Sequence, residues 1–150
     1  LFVALKSQSE QAALNSLKAM INFFKKEENL IAASKLDAST LQLLVAWTSK
    51  NENVECQKRA IGILKQLIHH PIAQSSILQS STAFQHIFKH SLIALDQTNT
   101  QVVCDVLTII EDLSLASWCC KFNICKLKLL QKIVSLVPLL KPDTGLSKGT

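Results

Sequence analysis

Two histidines at helical spacing are the first candidates for chemistry in this chain. His86 and His90 lie four residues apart, so both imidazoles could face one metal ion from a single helix. Cys119, Cys120 and Cys125 supply thiols further along, but adjacent cysteines point to different faces of a helix. Because the spacing matches no standard zinc pattern, the sequence predicts neither a metal site nor a cofactor.

Catalytic groups are no easier to assemble from this sequence. No local signature pairs a cysteine nucleophile with a histidine. The adjacent carboxylates Glu111 and Asp112 diverge by about 100° on a helix, so they do not form a paired acid–base site. Of the three glycines, one lies inside a predicted helix and two lie near the C terminus, which leaves no phosphate-binding loop. The sequence therefore predicts that the chain is not an enzyme.

A lysine-rich stripe near the C terminus is the main charged feature. The net charge is +5, and residues 118–150 hold six lysines against one acid. Lys121, Lys128 and Lys132 fall near one helical stripe, which is either a solvated outer face or a docking site for an acidic partner or a phosphate backbone. Arg59 is the only arginine, and no aromatic residue alternates with the lysines, which argues against nucleic acid.

Two tryptophans are candidate anchors for a partner. Trp47 and Trp118 fall at or near the ends of predicted helices. A place in the core is the default for aromatic residues in this pattern, but tryptophan is enriched at binding hot spots, so either side chain is also a candidate exposed contact.

The elements that must position these residues are helices in an internal repeat. When Ala13, Ala60 and Val106 are aligned, at offsets of 47 and 46 residues, apolar residues recur four and seven positions later. This spacing places them on one face of a helix. The same offsets align the following sets: Leu17, Leu64 and Ile110; Met20, Leu67 and Leu113; Ile31, Leu78 and Ile124; Leu41, Phe88 and Val134.

Helices are expected throughout this repeat, because the apolar residues are mainly Leu, Ile and Ala and only three glycines and three prolines interrupt them. The predicted helices lie near 8–26, 28–36, 38–50, 53–70, 72–80, 82–96, 100–117 and 124–140.

Residues 53–68 and 99–113 resemble the long inner helix of an armadillo repeat, and 70–78 is similar to the link that follows it. The resemblance covers most of residues 8–140. It implies an all-α, armadillo/HEAT-like α-solenoid of about three helical repeats with eight or nine helices. We expect one domain at 1–140, a fragment of a larger repeat protein because the chain does not start with Met, and a flexible tail at 141–150.

The resemblance also implies a function, because stacked helical repeats present extended binding surfaces. It predicts an interaction scaffold or adaptor that binds a peptide or helix of a protein partner. The alternative is a structural spacer or self-association segment, which the strongly apolar C-terminal helix favours. The predicted lining of the binding surface is the outward polar residues of the two long helices: Gln57, Lys58, Lys65, Asp105, Thr108 and Asp112.

The cysteines and the apolar stretches bear on localisation. Five cysteines without a regular framework suggest reduced thiols in an intracellular protein, cytoplasmic or nuclear. The longest apolar stretch, 122–140, carries three lysines, which argues against a membrane segment.

Overall fold

The computed structural model describes residues 2–6, 9–96, 98–117 and 129–140, and every regular element in these ranges is helical. An all-α chain was the expectation, and it is confirmed for these residues. A short 3-10 helix, Phe2–Lys6, comes first. The α-helices that follow are α1 (Glu10–Phe23), α2 (Glu27–Ala33), α3 (Ala38–Trp47), α4 (Val54–His69), α5 (Pro71–Gln79), α6 (Ser81–Ala94), α7 (Thr100–Ala116) and α8 (Leu129–Leu140).

Side-chain caps set where most of these helices begin. The backbone N–H groups in the first turn of a helix have no acceptor within the helix. The side-chain oxygen of a cap residue accepts a hydrogen bond from one of them. Asp37 caps α3 in this way, accepting from the Thr40 N–H at 2.8 Å. The hydrogen bonds from Thr40 and Ser39 lower the pKa of the Asp37 carboxyl below its ordinary value. The remaining side-chain caps are Ser9, Asn53, Ser80 and Asn99.

Helices that align in the sequence pattern pack against one another. Helix α1 packs on α4 and α4 on α7, while α3 packs on α6, α6 on α8, and α2 on α5. Ala13 in α1, Ala60 in α4 and Val106 in α7 are all buried. The residues four and seven positions later in each helix are buried too, as the repeat predicts: Leu17, Leu64, Ile110, Met20, Leu67 and Leu113.

Two hydrogen bonds join the ends of α1 and α2 to α4 and α5. The Gln66 side-chain amide donates to the Phe24 carbonyl at 3.2 Å, and the Ser76 hydroxyl donates to the Ser34 carbonyl at 2.5 Å. Each pair is 42 residues apart. Phe24 and Ser34 directly follow α1 and α2, where backbone carbonyls lack helical partners. One unit therefore satisfies the helix ends of the unit before it.

Helix α8 departs from this pattern of burial. Leu41 in α3 and Phe88 in α6 are buried, whereas the aligned Val134 in α8 is 62% exposed. Leu130 and Val137, at helical spacing from Val134, are also exposed. These three residues form an apolar stripe on α8. None of the described helices is long and apolar enough to cross a membrane.

Candidate functional site

An open groove runs between α4 and α7, with a volume of about 470 Å³. Both helices begin at asparagine caps and bury one apolar face, so their remaining faces carry the polar residues that border this space. We call it the α4–α7 groove. Its lining residues are Gly62, Lys65, Gln66 and His69 from α4, and Asp105, Thr108 and Asp112 from α7.

Gly62 leaves the α4 side of the groove without a side chain. It lies in the middle of a 16-residue helix, where glycine costs about 0.5–1 kcal/mol relative to alanine. A Cβ atom at this position would meet no atom within 4 Å. Close packing within the described residues therefore gives no reason for the glycine, and the space above it belongs to the groove.

An ion pair crosses the groove from α4 to α7. The Lys65 ammonium lies 3.0 Å from Asp105 Oδ1, which also accepts a hydrogen bond from the Gln101 side-chain amide at 3.1 Å. The Lys65 side chain is 42% exposed. An ion pair in contact with solvent to this extent contributes about 1 kcal/mol or less. The pair fixes the position of Lys65 more than it stabilises the fold.

Asp112 is less well satisfied than Asp105. Its Oδ2 atom is buried and makes no hydrogen bond to any residue that the structure describes. The Nδ1 atom of His69 is 3.6 Å away, which is beyond hydrogen-bond range, and the His69 side chain is 84% exposed. A buried carboxylate oxygen without a donor is energetically unfavourable. Asp112 therefore keeps unused hydrogen-bonding capacity beside the groove.

The structure brings together four of the residues predicted to line a binding surface. Lys65, Asp105, Thr108 and Asp112 all border the α4–α7 groove. The Thr108 hydroxyl donates to the Cys104 carbonyl of its own helix at 3.0 Å. Lys58 is exposed on α4 but does not border the groove.

The prediction that Gln57 points outward is wrong. Its side chain is fully buried, and its amide donates to the Thr48 carbonyl at 3.1 Å and to Asn51 Oδ1 at 2.7 Å. The reason is helical periodicity. Gln57 precedes Ala60 and Ile61 by three and four residues, and both of these lie in the core. Gln57 therefore holds the loop between α3 and α4 and is not available to a partner.

The prediction that Trp47 is an exposed anchor is also wrong. Trp47 is buried, and its indole N–H donates to the Leu5 carbonyl at 3.2 Å. The Lys50 ammonium lies 5.1 Å from the centre of its ring. The 3-10 helix packs on α3 and covers this side chain. Trp118, the second candidate, lies outside the described residues.

The lysine stripe is described only at Lys132. Its ammonium forms an ion pair with Asp96, which follows α6. An acid of the chain itself therefore already pairs with this lysine. Lys121 and Lys128 lie outside the described residues.

The two helically spaced histidines stack on α6, with ring centres 6.4 Å apart. His90 Nδ1 is 2.6 Å from the Ser49 hydroxyl, which joins α6 to α3. Burial lowers the pKa of His90, and the nearby His86 and Lys89 lower it further. Across the described ranges, no group of three or more His, Cys, Asp or Glu side chains could hold a metal ion.

Sequence reasoning missed three residues of the groove: Gly62, Gln66 and His69. Gly62 did carry a signal, because an isolated glycine within a helical pattern costs stability and calls for a reason. Gln66 and His69 carried none, since polar residues on an amphipathic helix are normally only solvated.

No protein-family model matches the chain, and no curated protein matches it either.

Proposed function

We propose that the chain is an armadillo/HEAT-like helical-repeat module that holds a segment of a protein partner in the α4–α7 groove. The observation that carries the proposal is the groove itself. It is open and about 470 Å³ in volume, it lacks a side chain at Gly62, and Lys65 and Asp112 lie on opposite sides of it. A space of this kind accepts a ligand without any rearrangement of the core.

The pairwise packing of aligned helices supports the repeat assignment. Helices α1, α4 and α7 pack in sequence, and α3, α6 and α8 form a second such series. The offset of 46–47 residues falls at the upper end of the roughly 40–47 residues of armadillo and HEAT units. In such proteins each unit contacts its neighbours, and the stacked helices present a continuous surface to partners.

The lining of the groove supports a protein segment as the ligand. Charged groups on both sides would fix the register of a bound peptide or helix, because opposite charges attract and like charges repel at close range. Lys65 and His69 are one helical turn apart, a spacing of about 6 Å that matches the repeat of side chains on an extended or helical segment.

A site-specific crosslinking experiment tests this function. A photoreactive phenylalanine analogue is placed at Thr108, in the groove, or at Gln85, which is exposed on α6. We expect crosslinks to one or a few proteins from position 108 and not from position 85. Gly62→Phe, which fills the groove, should abolish these crosslinks.

A matched control variant is Gln85→Phe, which adds the same side chain to a distant exposed position. It should leave the crosslinks from position 108 unchanged, and circular dichroism should find both variants folded. If positions 108 and 85 crosslink to the same proteins, the groove is not the binding site. Crosslinks from position 108 that persist in Gly62→Phe would lead to the same conclusion.

A second candidate function, self-association, is favoured by the apolar stripe of α8. Leu130, Val134 and Val137 are each at least half exposed on one face of that helix. Apolar side chains at this spacing commonly pack against a second copy or another helix. We expect the molar mass from light scattering to rise with concentration and Val134→Glu to remove that rise. A mass that stays monomeric at every concentration would exclude this candidate.

A further inference from the structure

The two aspartates of the α4–α7 groove differ in how well they are satisfied. Asp105 pairs with Lys65 at 3.0 Å and accepts a second hydrogen bond from Gln101. Asp112 has a buried oxygen, Oδ2, that accepts no hydrogen bond within the described part of the chain. The groove therefore contains one carboxylate that its own surroundings leave incompletely paired.

His69 lies close to this carboxylate but makes no hydrogen bond to its Oδ2 atom. Its Nδ1 atom is 3.6 Å from Asp112 Oδ2, and its side chain is 84% exposed. It is also the last residue of α4. Asp112 itself borders the groove and its side chain is 23% exposed, so a ligand in the groove can contact it.

The charge balance of the groove favours a cationic ligand group. Asp105 neutralises Lys65, so the negative charge of Asp112 is in excess when His69 is neutral. A guanidinium group matches a carboxylate better than an ammonium group does, because its planar donors bind both oxygens.

The position of Gly62 fits the backbone of the same ligand. It lies seven residues before His69, or about 10 Å along α4. A segment whose main chain passes over Gly62 could extend an arginine side chain to Asp112. A larger residue at position 62 would keep that main chain away, and no contact within the described structure requires a glycine there.

We propose that the α4–α7 groove binds a protein segment that carries an arginine, with the guanidinium paired to Asp112 and the main chain running over Gly62. This inference rests on the proposed binding function and adds the chemistry of the partner.

The test uses a random twelve-residue peptide library displayed on phage. Peptides are selected on the chain and depleted on the Gly62→Phe variant, so that only groove-dependent binders remain. We expect these binders to share an arginine. Asp112→Asn, which keeps the shape and removes the charge, should weaken their binding by about 30-fold or more.

Asp105→Asn is the matched control, because it makes the same change on the same helix at a carboxylate that is already paired. It should weaken binding by about fivefold or less. Replacing the arginine of the peptide by neutral citrulline should weaken binding to the unmodified chain and have no further effect on Asp112→Asn, as expected for two groups that bind each other.

The outcomes separate this inference from the function on which it rests. Groove-dependent peptides that lack an arginine, or that bind Asp112→Asn normally, would overturn the arginine assignment and leave the binding function intact. A selection that yields no peptide sensitive to Gly62→Phe would overturn both.

Discussion

Two polar contacts join neighbouring helical units, and they differ in their surroundings. Between α3 and α6, Ser49 and His90 form a partly buried hydrogen bond of 2.6 Å. Between α4 and α7, Lys65 and Asp105 form an ion pair of 3.0 Å beside an open groove. Both contacts are partly buried, and the second borders the groove, where the Lys65 side chain is 42% exposed. We call the α3–α6 contact the closed seam and the contact beside the groove the open seam.

The difference follows from the cost of removing charge from water. A neutral hydrogen bond is compatible with the partly buried α3–α6 seam, whereas an ion pair is easier to accommodate where solvent remains. The closed seam is therefore suited to stability. The open seam holds charged groups in place at little cost to the fold, which makes them available to a ligand.

The largest expected effect is at the buried apolar position of the closed seam. Phe88→Ala should lower the free energy of unfolding by about 3–5 kcal/mol, because it leaves a cavity in the core. The aligned Val134 on α8 is exposed, so Val134→Ala is the control and should change stability by about 0.5 kcal/mol or less. Urea unfolding measures both. Equal losses would contradict the difference in burial between α6 and α8.

The second prediction concerns the pH dependence of the closed seam. Burial, together with His86 and Lys89, lowers the pKa of His90 below the ordinary 6.5, so the unfolded chain binds a proton there more readily than the folded chain. Stability from this group is fully present above pH 6.5 and is lost as the pH falls through the lower folded-state value.

The measurement is urea unfolding between pH 7.5 and 5, with His90→Gln and His86→Gln as a pair of variants. His90→Gln should flatten the decline in this range, and His86→Gln should retain most of it. A decline that is unchanged in His90→Gln would place its origin in another group. Asp37, whose pKa is lowered by Thr40, loses its stabilising contribution only below its ordinary pKa of 3.8, outside this range.

The third prediction has the opposite sign and concerns the open groove. Gly62→Ala should raise the free energy of unfolding by about 0.5–1 kcal/mol, since alanine restricts the unfolded chain and favours the helix. The added Cβ meets no atom within 4 Å, so no strain opposes this gain. Thermal and urea unfolding should both detect the increase. A loss of stability would mean that packed atoms occupy the space above Gly62.

The smallest expected effect is at the ion pair of the open groove. Lys65→Met should lower stability by about 1 kcal/mol or less, because the side chain is 42% exposed and keeps its aliphatic contacts as methionine. About 1 M NaCl should remove most of the difference from the unmodified chain. A loss comparable to that of Phe88→Ala would show that the two seams do not differ in their contribution to stability.

The sequence was sufficient to predict the helices and most of their buried faces. Ala13, Ala60 and Val106 are buried together because a 3.6-residue period places their apolar neighbours on one side of each helix. Gln57 is an exception, because its polarity predicts exposure whereas its position on the helix predicts burial. It lies on the same face as Ala60, and two hydrogen bonds offset its burial.

Contacts between distant parts of the chain could not be predicted in the same way. Burial of Trp47 depends on Leu5, 42 residues earlier, and nothing at the end of α3 indicates that contact. Likewise, Lys65 and Asp105 were predicted to share a surface, but their pairing depends on how closely α4 approaches α7. Apart from Gly62, no residue in the sequence of α4 or α7 predicts the groove between them.

The hydrogen bonds from Gln66 to Phe24 and from Ser76 to Ser34 have a consequence for how the chain folds. Each closes a segment of 42 residues, and the entropy of closing a segment rises only slowly with its length. The carbonyls at the ends of α1 and α2 therefore find their hydrogen-bond donors within the next 42 residues of the chain. During synthesis, both hydrogen bonds can therefore form once Ser76 has emerged, before the rest of the chain is made.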